Sequence, residues 1–79
     1  MKIIENKWII MTKDRKRIAK GVPRDRWIID MSNKKDKKRI LTYNSKAKAE
    51  AAFKRSGFYG GRPDDQLEAV EVEVVMRYI

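Results

Sequence analysis

Neither cysteine nor histidine occurs among the 79 residues of the chain. Disulfide scaffolds, zinc knuckles, Cys or His nucleophile systems and histidine proton shuttles are therefore excluded by inventory. The absence of cysteine also fits a reducing compartment. Long apolar runs are missing too. The longest, Trp8-Ile9-Ile10-Met11, falls far short of the ~20 residues a membrane-spanning helix needs. The amino terminus carries no apolar stretch suited to a secretory signal, so the expected location is the cytoplasm, with no membrane partner. Acidic residues are in deficit, with 11 Asp and Glu against 20 Lys and Arg.

The chain is long enough for one domain, taken as residues 1–79, whose core is thin because so short a chain buries only about 60% of its unfolded surface. At 42% hydrophobic and 39% charged, it is too apolar for a disordered tail. The charge is uneven. Residues 1–63 hold 19 basic and 6 acidic side chains, whereas residues 64–79 hold only Arg77 against Asp64, Asp65, Glu68, Glu71 and Glu73. A cationic body points to an anionic partner, nucleic acid being the commonest. A surface that merely keeps a small protein soluble is the plainer alternative.

Polar turns at 13–16, 21–25 and 32–37 separate strand-like runs at Lys7–Thr12, Arg17–Val22, Arg26–Met31 and Arg39–Tyr43, rich in Ile, Val, Trp and Tyr. Alternation in the third run turns Trp27, Ile29 and Met31 toward the core. Ser45–Ser56 reads as a helix: Ser45 caps it, Ala47, Ala49, Ala51 and Ala52 favour it, and Gly57 ends it with Phe58 folded back on Phe53. Gly60–Asp65 looks like the most flexible loop. From Leu67 onward Val70, Val72, Val74, Met76 and Tyr78 alternate with Ala69, Glu71, Glu73, Val75 and Arg77, a half-buried strand. The expected fold is α+β: a mainly antiparallel sheet of four or five strands with one helix on one face, in the order β-β-β-β-α-β. Two places are open to the last strand: beside the fourth, as a β-α-β crossover with one parallel pair, or beside the first, in an all-antiparallel sheet. The second is preferred because Glu71 and Glu73 then lie across from Lys7 and its neighbours. Its overhang at an edge predicts a tendency to homodimerise.

In an up-and-down meander the first and third turns share one end of the sheet. That end would gather Lys13, Arg15, Lys16 and Arg17 with Lys34, Lys35, Lys37, Lys38 and Arg39, and the helix would return Lys54 and Arg55 toward it. Such a rim could follow a phosphate backbone. Lysines in hairpin turns also serve simply as solvated turns and as guards of sheet edges, and Arg24 and Arg26 would sit at the opposite end. Other constellations point away from chemistry. Asp64 and Asp65 lack a third metal ligand and suit a polar loop. Gly60-Gly61 lacks the spacing of a phosphate loop. Trp8, Trp27 and Tyr43 suit a core better than base stacking, which leaves Tyr59 as the aromatic expected to be free. No catalytic residue, metal site or cofactor is expected.

The run Thr42-Tyr43-Asn44-Ser45-Lys46-Ala47-Lys48-Ala49-Glu50-Ala51, then Gly57, then Glu68-Ala69-Val70-Glu71-Val72-Glu73 resembles short proteins carried by phages and prophages of low-GC Gram-positive bacteria. A second likeness is to the arm-type DNA-binding domain of phage integrases, a three-stranded sheet backed by a helix, from which the acidic last strand departs. The phage resemblance implies either nucleic-acid handling or inhibition of a host protein or protein–nucleic acid complex. It assigns no residue a role. The leading expectation is a non-enzymatic module that contacts DNA or RNA through the basic turns. A phage-encoded inhibitor with a host protein as partner is the alternative.

Overall fold

The apolar runs become strands β1 (Lys2–Thr12), β2 (Arg17–Val22) and β3 (Asp25–Asp30), followed after a long connection by helix α1 (Lys46–Lys54). A small hairpin of β4 (Phe58–Tyr59) and β5 (Arg62–Pro63), a 3₁₀ turn (Asp64–Gln66) and strand β6 (Leu67–Arg77) complete the chain. The computed structural model describes residues 2–55 and 57–77. The main sheet is antiparallel, ordered β3-β2-β1-β6, so the last strand does lie beside the first. The expected α+β architecture holds.

Two departures from the meander shape the surface. First, Arg39–Tyr43 is not an outer strand beside β3. It is a wedge between β1 and β2, which meet in register only at Met11 and Ile18 and then splay apart. On one flank Leu41 N donates to Ala19 O (3.1 Å); on the other Tyr43 N and Trp8 N each donate to the opposite carbonyl, at 2.7 and 2.8 Å. The wedge satisfies backbone groups that the splay would otherwise bury unpaired. Second, β1 starts at Lys2 rather than Lys7 and pairs with β6 along its whole length, Lys2 opposite Arg77 and Thr12 opposite Leu67. Glu71 and Glu73 face Trp8 and Asn6, whereas Lys7 faces Val72. Lys7 instead reaches Asn44 Oδ1, at 2.6 Å.

Helix α1 follows from its sequence. The Ser45 hydroxyl accepts from Lys48 N at 3.2 Å, and Gly57 takes a left-handed φ of +67° just beyond the helix. Ser56, the expected last helical residue, lies outside the described residues. Ala49 and Phe53 face the sheet and are buried with Ile10, Ala19, Tyr59 and Leu67. A second cluster, Ile9, Met11 and Ile18 with Val70 and Val72, packs on the opposite face.

Because both faces carry apolar side chains, alternation misassigned β3. Ile28 is the residue that packs on the helix-side core, while Trp27 and Met31 stand about half exposed, at 51% and 52%. Tyr59, expected to be free, is 1% exposed. Gly60 and Gly61, with φ of +56° and +88°, form a two-residue hairpin turn of the type that requires left-handed residues. They replace the expected flexible loop. Gly60 O accepts from Ile28 N (3.1 Å), which clamps the hairpin to β3 and holds Tyr59 down. Phe58 opens β4 and is 56% exposed, so Tyr59 rather than Phe58 is the aromatic turned inward after the helix.

Candidate nucleic-acid interface

The first basic turn is tied by local hydrogen bonds and largely neutralised. Arg15 adopts a φ of +63°, uncommon for a residue other than glycine, and its N–H donates to Thr12 O at 2.8 Å. Asp14 Oδ1 accepts from the Thr12 hydroxyl (2.5 Å) and from Lys16 N (3.0 Å). Arg15 Nε donates to Glu68 at 2.8 Å. Lys13, Lys16 and Arg17 line a hollow of about 580 Å³ together with Arg62, but Asp14, Asp30 and Asp65 line it too. Four cations against three carboxylates leave little net field there. Lys54 comes to this end, beside Lys13, Asp64 and Asp65, and its ammonium donates to Glu50 at 2.5 Å.

The second basic run behaves differently. The connection 31–39 begins at the first-turn end, where Met31 N donates to Lys16 O (2.9 Å), and finishes at the opposite end, where Arg39 O accepts from Gly21 N (2.8 Å). It must cross the sheet, since β3 lies on one flank of β2 and the wedge on the other. Side chains that mimic backbone turns give it a defined path. Asp30 Oδ1 accepts from Ser32 N (2.9 Å), Asn33 Oδ1 from Lys35 N (3.1 Å) and Asp36 Oδ1 from Lys38 N (3.2 Å). The Asp36 side chain is only 4% exposed, with the Lys20 ammonium 2.9 Å from one oxygen and that of Lys38 3.6 Å from the other. The one acid of this run is thus turned inward and neutralised. Lys34, Lys35, Lys37 and Arg39 stay exposed and make no ion pair among the described residues.

Arg39 leads to a further basic area around Pro23. It shares a hollow of about 240 Å³ with Gly21, Pro23 and Ile40. On the other side of Pro23 lies a groove of about 490 Å³ lined by Arg26, Lys48, Arg55, Tyr43, Tyr59, Ala51 and Ala52. Neither lining contains a carboxylate. The Arg26 guanidinium stands 4.5 Å from the Tyr59 ring centroid, and its Nη1 donates to Pro23 O at 2.6 Å, while its buried Nε has no acceptor among the described residues. The Tyr43 and Tyr59 hydroxyls lie 2.7 Å apart. Burial, then that hydroxyl, push the Tyr59 phenol above its ordinary range, so it stays protonated.

The residues expected on one rim are therefore divided. Lys13, Arg15, Lys16, Arg17 and Lys54 lie at the first-turn end among acids. Lys34, Lys35, Lys37 and Lys38 lie along the crossing connection, and Arg39 and Arg55 belong to the Pro23 end. Arg24 and Arg26, set aside because they stand at the opposite end, neighbour that second group, and Lys48 joins it from α1. Sequence reading missed this grouping; the i, i+7 spacing of Lys48 and Arg55, two helical turns on one face, is the signal by which it could have been found. Asp25 and Asp30 do not pair with Arg24 or Arg26: Asp25 accepts from the Trp27 indole (3.1 Å) and Asp30 from Ser32.

No family model, curated protein or solved structure matches the chain. Among the described residues, no group of acidic side chains is arranged to hold a metal ion, and no helix is long and apolar enough to cross a membrane.

Four carboxylates sit below their ordinary range: Asp14 through the Thr12 hydroxyl, Asp30 through the Ser32 hydroxyl, Asp36 through Lys20, and Glu50 through Lys54. A carboxylate with a depressed folded pKa adds stability that is complete above its unfolded value and lost as pH falls through the folded one. With no histidine to titrate near neutrality, the melting temperature should be flat from about pH 5 to 8 and fall below about pH 4. Circular-dichroism melts across that range test this. A decline beginning above pH 5 would contradict it.

Proposed function

We propose that this chain is a non-enzymatic nucleic-acid-binding module that holds the phosphate backbone along the Lys34–Arg39 connection and the adjoining Pro23 end. One observation carries the reading. The only acid within the basic run, Asp36, is turned inward onto Lys20 and Lys38, leaving the outward cations without local counter-charge. The pairing with Lys20 anchors the connection to β2, and it also withdraws from the surface a carboxylate that would otherwise lower the repulsion among the lysines. A row of unpaired cations on an ordered backbone suits a linear polyanion, whose counterions they displace on binding.

The test is fluorescence anisotropy with labelled duplex and single-stranded DNA of arbitrary sequence. For about five phosphate contacts, affinity should fall by roughly 100- to 1,000-fold between ~50 and ~200 mM salt, on every sequence alike. Lys35→Glu with Lys37→Glu should weaken binding at least about tenfold at the lower salt, since each phosphate contact carries a comparable share of it. The matched pair Lys13→Glu with Lys16→Glu, at the neutralised end, should weaken it less. No binding at ~50 mM salt would end the proposal, and equal losses from the two double variants would move the surface elsewhere.

A further inference from the structure

We infer that the outer edge of β6 pairs with the same edge of a second copy of this chain, antiparallel about a two-fold axis at Val74. This is independent of nucleic-acid binding. The two edges of the sheet differ. The β3 edge is occupied where Ile28 N bonds Gly60 O, whereas β6 ends the strand order, with no strand beyond it among the described residues.

The register of β1 with β6 fixes which backbone groups are free. Lys13 N donates to Gln66 O at 2.8 Å, continuing the pairing of Thr12 with Leu67. In an antiparallel ladder hydrogen-bonded pairs alternate with non-bonded ones. Even-numbered residues of β6 therefore bond β1, and Ala69, Glu71, Glu73 and Val75 aim their N–H and C=O groups outward. Only odd residues can pair across a new edge, so the axis must fall on a residue rather than between two.

Charge then selects the register. An axis at 71 or 73 sets a glutamate against its own copy, and an axis at 72 sets Glu71 against Glu73 twice. Like charges directly opposite are destabilising. An axis at 70 removes that conflict but provides no opposite charge. An axis at Val74 puts position 71 opposite position 77, glutamate against arginine, twice by symmetry. It also places Glu73 opposite Val75, and the valine positions 72 and 74 form one apolar row across both copies. An axis at 75 also faces glutamate with arginine, but it overlaps less of β6. The result is an isologous interface that joins two four-stranded sheets into one of eight.

Sedimentation equilibrium from ~1 to ~500 μM, on nucleic-acid-free protein with the fold verified by circular dichroism, tests the inference. The parent chain should show a reversible monomer–dimer equilibrium. Val75→Lys places a cation against Glu73 of the partner at two symmetric positions and should tighten the dimer by about two- to thirtyfold. Val75→Glu should loosen it to a similar degree. Val75→Pro removes an outward N–H that β1 does not use and should abolish the dimer while leaving a folded monomer, since proline is tolerated on edge strands. A parent chain that stays monomeric throughout, or Val75→Pro that dimerises like the parent, would overturn the proposal. Weaker dimerisation by Val75→Lys would overturn the Val74 register, because an axis at 75 would set lysine against lysine.

Discussion

Replacing Phe53 with alanine should lower the melting temperature by roughly 20 °C and leave a substantial unfolded fraction at 37 °C. Phe53 is 2% exposed and packs where Ile10, Ala19, Ala49, Tyr59 and Leu67 meet. It is the largest apolar side chain that α1 brings to the sheet. Truncating a buried phenylalanine costs about 3–5 kcal/mol, from lost burial and the remaining cavity. A domain of this size has a total stability of about 4–12 kcal/mol. Each kcal/mol shifts the midpoint of a small domain by about 4–8 °C. The alanines at 19 and 49 hold helix and sheet close and have no side chain long enough to refill the space. Ile4→Ala, at a site 61% exposed, should shift the midpoint by only a few degrees. If Phe53→Ala behaves like Ile4→Ala in thermal melts, the helix does not hold the core together.

Gly21→Ala should be the second severe change, larger than Gly57→Ala although both glycines have positive φ. At Gly57 an added Cβ meets nothing within 4 Å, so the loss is the backbone preference alone, about 1 kcal/mol. At Gly21, φ is +120° and the Cβ would lie 2.3 Å from Asp25 O. Asp25 is held opposite Val22 in the β2–β3 ladder, so the clash can be relieved only by opening the hairpin. Gly21 N also carries the bond to Arg39 O that anchors the wedge. Strain of this kind costs about 1–3 kcal/mol before any lost pairing is added. Urea midpoints of the two variants should therefore differ, with Gly21→Ala the lower. The reverse order would mean the β2–β3 turn is not built as described. Because Arg39 belongs to the proposed interface, Gly21→Ala should also weaken DNA binding by protein that remains folded.

What could be read from the residues and what could not divide along a physical line. Ser45, the alanines and Gly57 act within a few residues of themselves, and the helix they specify lies where they place it. The closing strand was legible as a strand, but its place was a choice between the first and the fourth strands, and the structure puts it beside β1. Arg39–Tyr43 was read as a full strand but makes only isolated bridges, at Ile40 and Tyr43, and a five-residue run does not state which gap it fills. That depends on how far β1 and β2 splay, a property of the whole sheet. β3 was turned over because Ile28 on one face and Trp27 and Ile29 on the other are all apolar, and in that case the period of two does not choose a face. Tyr59 was misjudged because flanking glycines suggest mobility, although here they provide the tight turn that presses it inward. The two basic runs were visible as charge. That one is neutralised by Asp14, Asp30 and Asp65 while the other hides its only acid depends on contacts far apart in the chain.

The pairing of β1 with β6 joins partners 55 residues apart at its near end and 75 apart at its far end. During synthesis at about 5–20 residues per second, β1 emerges first and waits several seconds for the strand that completes it. In that interval the β1–β2 hairpin holds at a single register pair and the wedge, once made, pairs with β1 only at Trp8, so Ile3, Ile4, Ile9 and Ile10 lack the strand that flanks them in the finished sheet. Pairing over such separations is slow, because closing the intervening chain must precede any gain from the contacts. The β2–β3 hairpin is local and can form early, but the sheet is completed late, by its two most distant strands, and until then the apolar residues of β1 are exposed to chaperones and proteases.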